Sequence, residues 1–139
     1  MAHLGLQQGR PLRVGLIGAG WVTAHHLQGW QQHAERARVV AIADPQQVAA
    51  RARADTFSID QVFTCAKTML SQCAVDVVDV AVPRELHAEM VLLAAERGLP
   101  VLCQKPLAPN YAQACELVAK TQDQTRLMVH ENWRFRPYY

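Results

Sequence analysis

Apolar positions along this chain fall into short, nearly unbroken runs. Between the runs, apolar side chains recur every three or four residues. Runs of the first kind occupy Leu12–Ile17, 39–43, 75–82, 101–103 and 126–130, with a weaker one at Gln61–Phe63. Their length and continuity predict strands buried on both faces. The segments 21–33, 45–55, 67–72 and 85–97 carry the helical period, and Asn110 predicts the N-cap of a further helix, with Gln113 as its reciprocal capping partner. Gly98 stops the 85–97 helix and Pro100 blocks its continuation. Strand and helix in regular alternation predict parallel pairing through right-handed crossovers: an α/β fold with a doubly wound parallel sheet. Residues 1–10 read as a loose arm and 11–139 as one domain.

Composition narrows the class. At 139 residues and 50% hydrophobic, the chain is long enough to bury a core as one domain. A formal charge of +2 supplies no field that would gather nucleic acid or an anionic membrane. Arg134 and Arg136, interleaved with Trp133, Phe135, Tyr138 and Tyr139, are too few to change that. The aromatic tail is instead expected to favour association if exposed, as a homo-oligomer or with a separate second domain. Four cysteines without CxxC spacing (Cys65, Cys73, Cys103, Cys115) read as reduced, mostly buried thiols. His25 and His26, adjacent on a helix, project in different directions, so no metal site is expected. Residues 1–10 contain no apolar core of signal-peptide length and no twin arginine, and no run approaches the roughly 20 apolar residues of a membrane span. These features together predict a cytoplasmic protein.

Chemistry gathers where strands end. Gly18-Ala19-Gly20-Trp21-Val22-Thr23 leaves the first strand and opens the first helix, the context a dinucleotide-phosphate loop requires. Gly18 permits the tight turn, and Gly20 lets backbone approach a pyrophosphate at the N–H groups of Trp21, Val22 and the helix start. Thr23 stands where a third glycine is usual, which predicts looser helix–strand packing. Asp44 ends the second strand 26 positions after Gly18. A carboxylate there accepts hydrogen bonds from ribose hydroxyls and repels a 2′-phosphate, and Pro45 follows it rather than arginine, so NAD is favoured over NADP. A structural glycine turn followed by a capping aspartate is the plainer reading. Trp21 packs either beside the cofactor or on the surface.

Two further turns lie at the same sheet edge. Pro83 fixes the turn after the fourth strand, and His87 follows in the first helical turn, where it either touches cofactor or substrate or packs on the loop. Gln104-Lys105-Pro106 ends the next strand. Beside a cationic nicotinamide and partly desolvated, a lysine favours its neutral amine and can take a hydroxyl proton. A lone lysine at a strand end is more commonly just a solvated side chain.

Taken in order, Val14-Gly15-Leu16-Ile17-Gly18-Ala19-Gly20, Ala41-Ile42-Ala43-Asp44-Pro45, Val75-Asp76-Val77-Val78 running to Pro83 and His87, Lys105-Pro106, and Glu131-Asn132-Trp133-Arg134-Phe135-Arg136-Pro137 resemble the glucose–fructose oxidoreductase/inositol dehydrogenase/MocA family. The resemblance spans nearly the whole chain. It implies an NAD(P)-dependent oxidoreductase acting on sugars, cyclitols or related polyols. It further implies that Lys105 is the family's Glu-Lys-Pro lysine, which contacts substrate and aids proton transfer, and that Asn132 and Arg134 lie near the junction with a substrate domain. The family's glutamate is Gln104 here, a neutral amide that cannot ion-pair with Lys105. The family's C-terminal α/β substrate domain is expected to be absent from these residues, which leaves catalysis by this chain alone open. A non-catalytic dinucleotide-binding module or a truncated product is the alternative. A methyltransferase also pairs a glycine loop with a strand-end acid, but Lys105-Pro106 and the turn from Pro83 to His87 do not belong to that pattern.

Overall fold

The protein is described as a computed structural model covering residues 9–137. Among the described residues six strands form one parallel sheet: β1 (Leu12–Ile17), β2 (Ala37–Ala43), β3 (Gln61–Phe63), β4 (Val77–Val80), β5 (Val101–Gln104) and β6 (Leu127–His130). Five α-helices of the described residues alternate with them: α1 (Thr23–Gln32), α2 (Gln47–Phe57), α3 (Ala66–Gln72), α4 (His87–Ala95) and α5 (Tyr111–Thr121). The spatial order is β3-β2-β1-β4-β5-β6, so strand order reverses between β1 and β4. In such sheets ligands bind outside the carboxyl ends of the strands at that reversal.

The period-two alternation of the strands sorts their side chains into two layers. Ile17, Ala41, Ala43, Val78, Val80, Val101 and Cys103 pack with α3, α4 and α5 residues such as Met69, Val91 and Leu117. Leu16 and Ile42 face the other way, onto Leu27 of α1 and Ala50 and Ala54 of α2. The same alternation sends Asp79 of β4, Gln104 of β5 and His130 of β6 to the α1 side. The register sets Gln104 directly opposite His130.

Several boundaries differ from those the sequence predicts, each for a local reason. The first helix begins at Thr23 rather than residue 21, because Trp21 and Val22 are spent in the turn, where their carbonyls accept from Ala24 and His25. The second helix starts at Gln47 because an Asp44 carboxylate oxygen caps the Gln46 N–H at 2.7 Å. Residues 84–86 form a 3-10 turn before α4 begins at His87, and Gly98, at φ +65°, ends that stretch. Asn110 caps α5 by accepting from the Gln113 N–H at 3.0 Å, and among the described residues no bond returns from the Gln113 side chain. Arg10, expected in a loose arm, instead pairs with Asp76 at 2.7 Å, while residues 1–8 lie outside the described part. Tyr138 and Tyr139 also lie outside it. Cysteines are free, but only Cys73 and Cys103 are buried, and Cys65 and Cys115 are exposed. Among the described residues no helix is long and apolar enough to cross a membrane.

Candidate functional site

The turn after β1 is held from three sides. Gly18 donates its N–H to the Ala43 carbonyl at 2.8 Å, and the next strand closes on it, with Ala81 donating to Ile17 at 2.8 Å. At φ +110°, a Cβ on Gly18 would lie 2.5 Å from the Ala81 carbonyl oxygen, so both backbone conformation and space demand glycine. Gly20 is different. A Cβ there would meet no protein atom within 4 Å, so the protein's own packing does not require glycine. Open space above a bare backbone turn is what a phosphate cradle needs. Thr23 tightens the packing rather than loosening it: the residue is buried and its hydroxyl donates to the Gly18 carbonyl at 3.1 Å.

Asp44 is coupled to this loop directly. One carboxylate oxygen accepts the Ala19 N–H at 2.7 Å and the other the Gln46 N–H at 2.7 Å. The aspartate thus fixes the glycine loop against β2, a role its spacing in the sequence did not reveal. Each oxygen keeps a further lone pair for an outside donor. Arg53 of α2 donates to the Gly20 carbonyl at 3.1 Å and brings a guanidinium to the loop. Trp21 stands exposed with its ring edge-on to His25, centroids 5.0 Å apart, and Val22 is half-buried at the helix entrance.

Beside Asp44 opens a largely apolar cavity of about 570 Å³, lined among others by Ile17, Pro45, Cys65, Val82 and Leu86. That is the size of a small-molecule site. Hydrogen bonds involving Thr68 draw the Cys65 thiol below its ordinary pKa, whereas burial pushes the Cys103 thiol up to about 12.

At the β4 and β5 ends, His87 does not face the crest, the edge of the sheet formed by the carboxyl ends of its strands. Its ring is buried, with Nδ1 2.8 Å from the Pro106 carbonyl and Nε2 3.0 Å from the Val82 carbonyl. The histidine is a strut between the two loops, with a backbone carbonyl oxygen beside each ring nitrogen. Pro83 is exposed on the turn above it. Lys105 is exposed too, so the described residues do not supply the desolvation expected of it. Its backbone N–H donates to the Gln104 side-chain oxygen at 2.7 Å.

Below Gln104 lies a polar cluster that the sequence did not signal. Asp79 is fully buried, with both oxygens 3.0 Å from His26 Nδ1 and one accepting the Trp30 indole N–H at 2.7 Å. The other nitrogen of His26 faces the Gln104 amide nitrogen at 3.0 Å and His130 Nδ1 at 3.3 Å. Burial lowers the His130 pKa. The helix position of His26 is unremarkable in the sequence; the strand register brings residues 79, 104 and 130 beneath it.

Comparison with known proteins identifies the family of this fold. Residues 12–132 match the family model described as an oxidoreductase family with an NAD-binding Rossmann fold, GFO_IDH_MocA. D-apiose dehydrogenase of Paraburkholderia graminis is 37% identical over 123 residues, which cover 88% of this chain and 32% of that protein. An inositol 2-dehydrogenase of Corynebacterium glutamicum is 35% identical over 132 residues, covering 94% of this chain and 39% of the relative. This chain therefore spans 32% to 39% of the length of these two relatives. Among solved structures, the WlbA dehydrogenase of Bordetella pertussis in complex with NADH and UDP-GlcNAcA superposes with a TM-score of 0.86 at 28% identity, over 92% of this chain and 39% of that one. An oxidoreductase of Agrobacterium radiobacter in complex with NAD+, L-tartaric acid and magnesium gives 0.84 at 29% identity, over 88% and 36%.

Proposed function

The chain belongs to the Gfo/Idh/MocA oxidoreductases, in the part that forms their NAD-binding Rossmann fold, and from this premise we propose that it holds the cofactor of an enzyme acting on a sugar, cyclitol or related polyol. One observation carries the reading: the glycine loop and Asp44 are bonded into a single unit at the crest where Lys105 also emerges. When bound, the dinucleotide supplies or accepts the hydride. Gly18 shapes the loop and Gly20 leaves its backbone open to the pyrophosphate. The free lone pairs of Asp44 accept from the adenosine ribose hydroxyls. Lys105 exchanges the proton of the reacting hydroxyl once ligand has displaced the water around it.

The same carboxylate favours NAD over NADP, because a 2′-phosphate brought to Asp44 meets like charge. Asp44→Ala tests this by the ratio of the two affinities, measured by NADH and NADPH fluorescence. Loosening the loop weakens both cofactors together and leaves the ratio unchanged. Loss of the ribose bond and of the repulsion shifts the ratio toward NADPH by about tenfold, worth about 1.4 kcal/mol. An unchanged ratio overturns the assignment of Asp44 to the ribose. Hydride transfer is read from NADH absorbance against a panel of cyclitols and aldoses. Binding without turnover across the panel supports the alternative, a dinucleotide-binding module that is not catalytic by itself.

A further inference from the structure

The buried cluster under β5 has a hydrogen-bond polarity that can be worked out atom by atom. It starts from Lys105, whose backbone N–H can only donate. The Gln104 atom 2.7 Å from it is therefore the carbonyl oxygen. The other end of that amide, 3.0 Å from His26 Nε2, is then the NH2 group, which donates. For the contact to be favourable, His26 Nε2 must present its lone pair and carry no hydrogen. At the opposite side of the ring, Nδ1 lies 3.0 Å from both oxygens of the buried Asp79, so Nδ1 carries the hydrogen. Turning the Gln104 amide over would set its NH2 against the Lys105 N–H at 2.7 Å, donor on donor. A hydrogen on Nε2, directed at His130 Nδ1 at 3.3 Å, would face the Gln104 NH2 at the shorter distance.

We infer that His26 is a positioning residue for Lys105: held by Asp79 through Nδ1–H, it takes the Gln104 amide at Nε2, and Gln104 thereby presents its carbonyl oxygen to the Lys105 backbone. The side chain at position 104 consequently sets the hydrogen count of the His26 ring. A carboxylate at 104 accepts from Lys105 with one oxygen and requires a donor at Nε2 for the other. Gln104→Glu therefore gives His26 a second ring hydrogen, supplied from solvent. The added negative charge at 104 and the added positive charge on the ring cancel, so the charge beneath Lys105 stays the same. The polarity of the relay runs unbroken from a β4 carboxylate, through an α1 imidazole, to the backbone of the β5 exit. Its significance for chemistry rests on the reading of Lys105 given above, but its hydrogen pattern does not.

The test uses the isotope-labelled full chain without ligand. Two-bond nitrogen–proton NMR spectra report which ring nitrogens carry hydrogen, and His26 is assigned through its neighbour, the Trp30 indole. In the natural sequence Nδ1 is expected to be protonated and Nε2 bare, and in Gln104→Glu both are protonated. Amide hydrogen exchange at Lys105 is the second measurement. Gln104→Ala is expected to speed it about tenfold, as loss of one hydrogen bond would, and Gln104→Glu is expected to restore it. A simple space-filling role for residue 104 would not alter the ring nitrogens. A protonated Nε2 in the natural sequence overturns the inference. So does a ring unchanged in Gln104→Glu, or Lys105 exchange unaffected by Gln104→Ala. Failure to bind NADH or to turn over a polyol would instead sink the functional reading and leave the ring result standing.

Discussion

At the scale of single residues, the crest divides into groups that hold the protein together and groups left facing outward. Gly18, Thr23, His87 and Asp79 are buried and held by neighbours. Gly20, Trp21, Pro83 and Lys105 are exposed. Asp44 does both jobs, with one backbone N–H on each oxygen. Cys65 offers a direct probe of the outward set. It lines the cavity beside Asp44, and hydrogen bonds from Thr68 favour its thiolate, the reactive form. Cys115 is exposed but lies on α5, away from that cavity, and Cys103 is buried with its thiol pushed up to about 12. Iodoacetamide should therefore label Cys65 and Cys115 and spare Cys103. Saturating NADH should slow labelling of Cys65 alone. Equal slowing at Cys115, detected by peptide mass analysis, would place the dinucleotide elsewhere.

Elements were legible in the sequence where a buried strand faces apolar neighbours on both sides, as Leu12–Ile17 does. They were less legible where one polar group redirected the chain. The second helix starts late because Asp44 caps Gln46, and no periodicity reports that bond. The Gly18 turn could be read because only glycine tolerates its φ, whereas His26 could not, because its partners come from three separate strands. Asp76 belongs to the same class of long-range device. It accepts from Arg10 and Arg13 and from the Arg13 backbone N–H at 2.8 Å, which locks the start of β1 against the approach to β4. The two guanidiniums, Arg10 first, hold its carboxyl well below the usual carboxylate range. A depressed carboxylate contributes stability above its unfolded pKa of about 3.9, and that contribution is lost as pH falls through the folded value. Asp76→Asn should therefore cost about 1 kcal/mol near neutrality, since the arginines are partly solvated. It should also flatten the loss of stability below about pH 4. Urea melts at pH 7 and pH 3.5 check both expectations, and an equal deficit at the two pH values would refute the linkage.

Across the whole molecule the two faces of the sheet are covered unequally. On one, α3, α4 and α5 lie over an apolar layer that runs from β2 to β5. On the other, the layer under α1 and α2 ends near β1 and β2, and beyond it Met128 of the edge strand β6 is more than half exposed. Local opening should therefore be cheapest at β6 and dearest at β1 and β4, which sit mid-sheet and flank the crest. Ligand binding sharpens the contrast. Amides that exchange only when the crest comes apart must first release the dinucleotide, so at a hundredfold excess over Kd they gain about 2.7 kcal/mol of protection. Amides of β6 that exchange through fraying at the edge release nothing and gain nothing. Hydrogen exchange with and without NADH should thus show roughly a hundredfold slowing across β1, β2 and β4, with Met128 and Val129 unchanged. Equal slowing in β6 would mean that the edge opens only with the crest, as one cooperative unit. No slowing anywhere would remove the crest as the binding site.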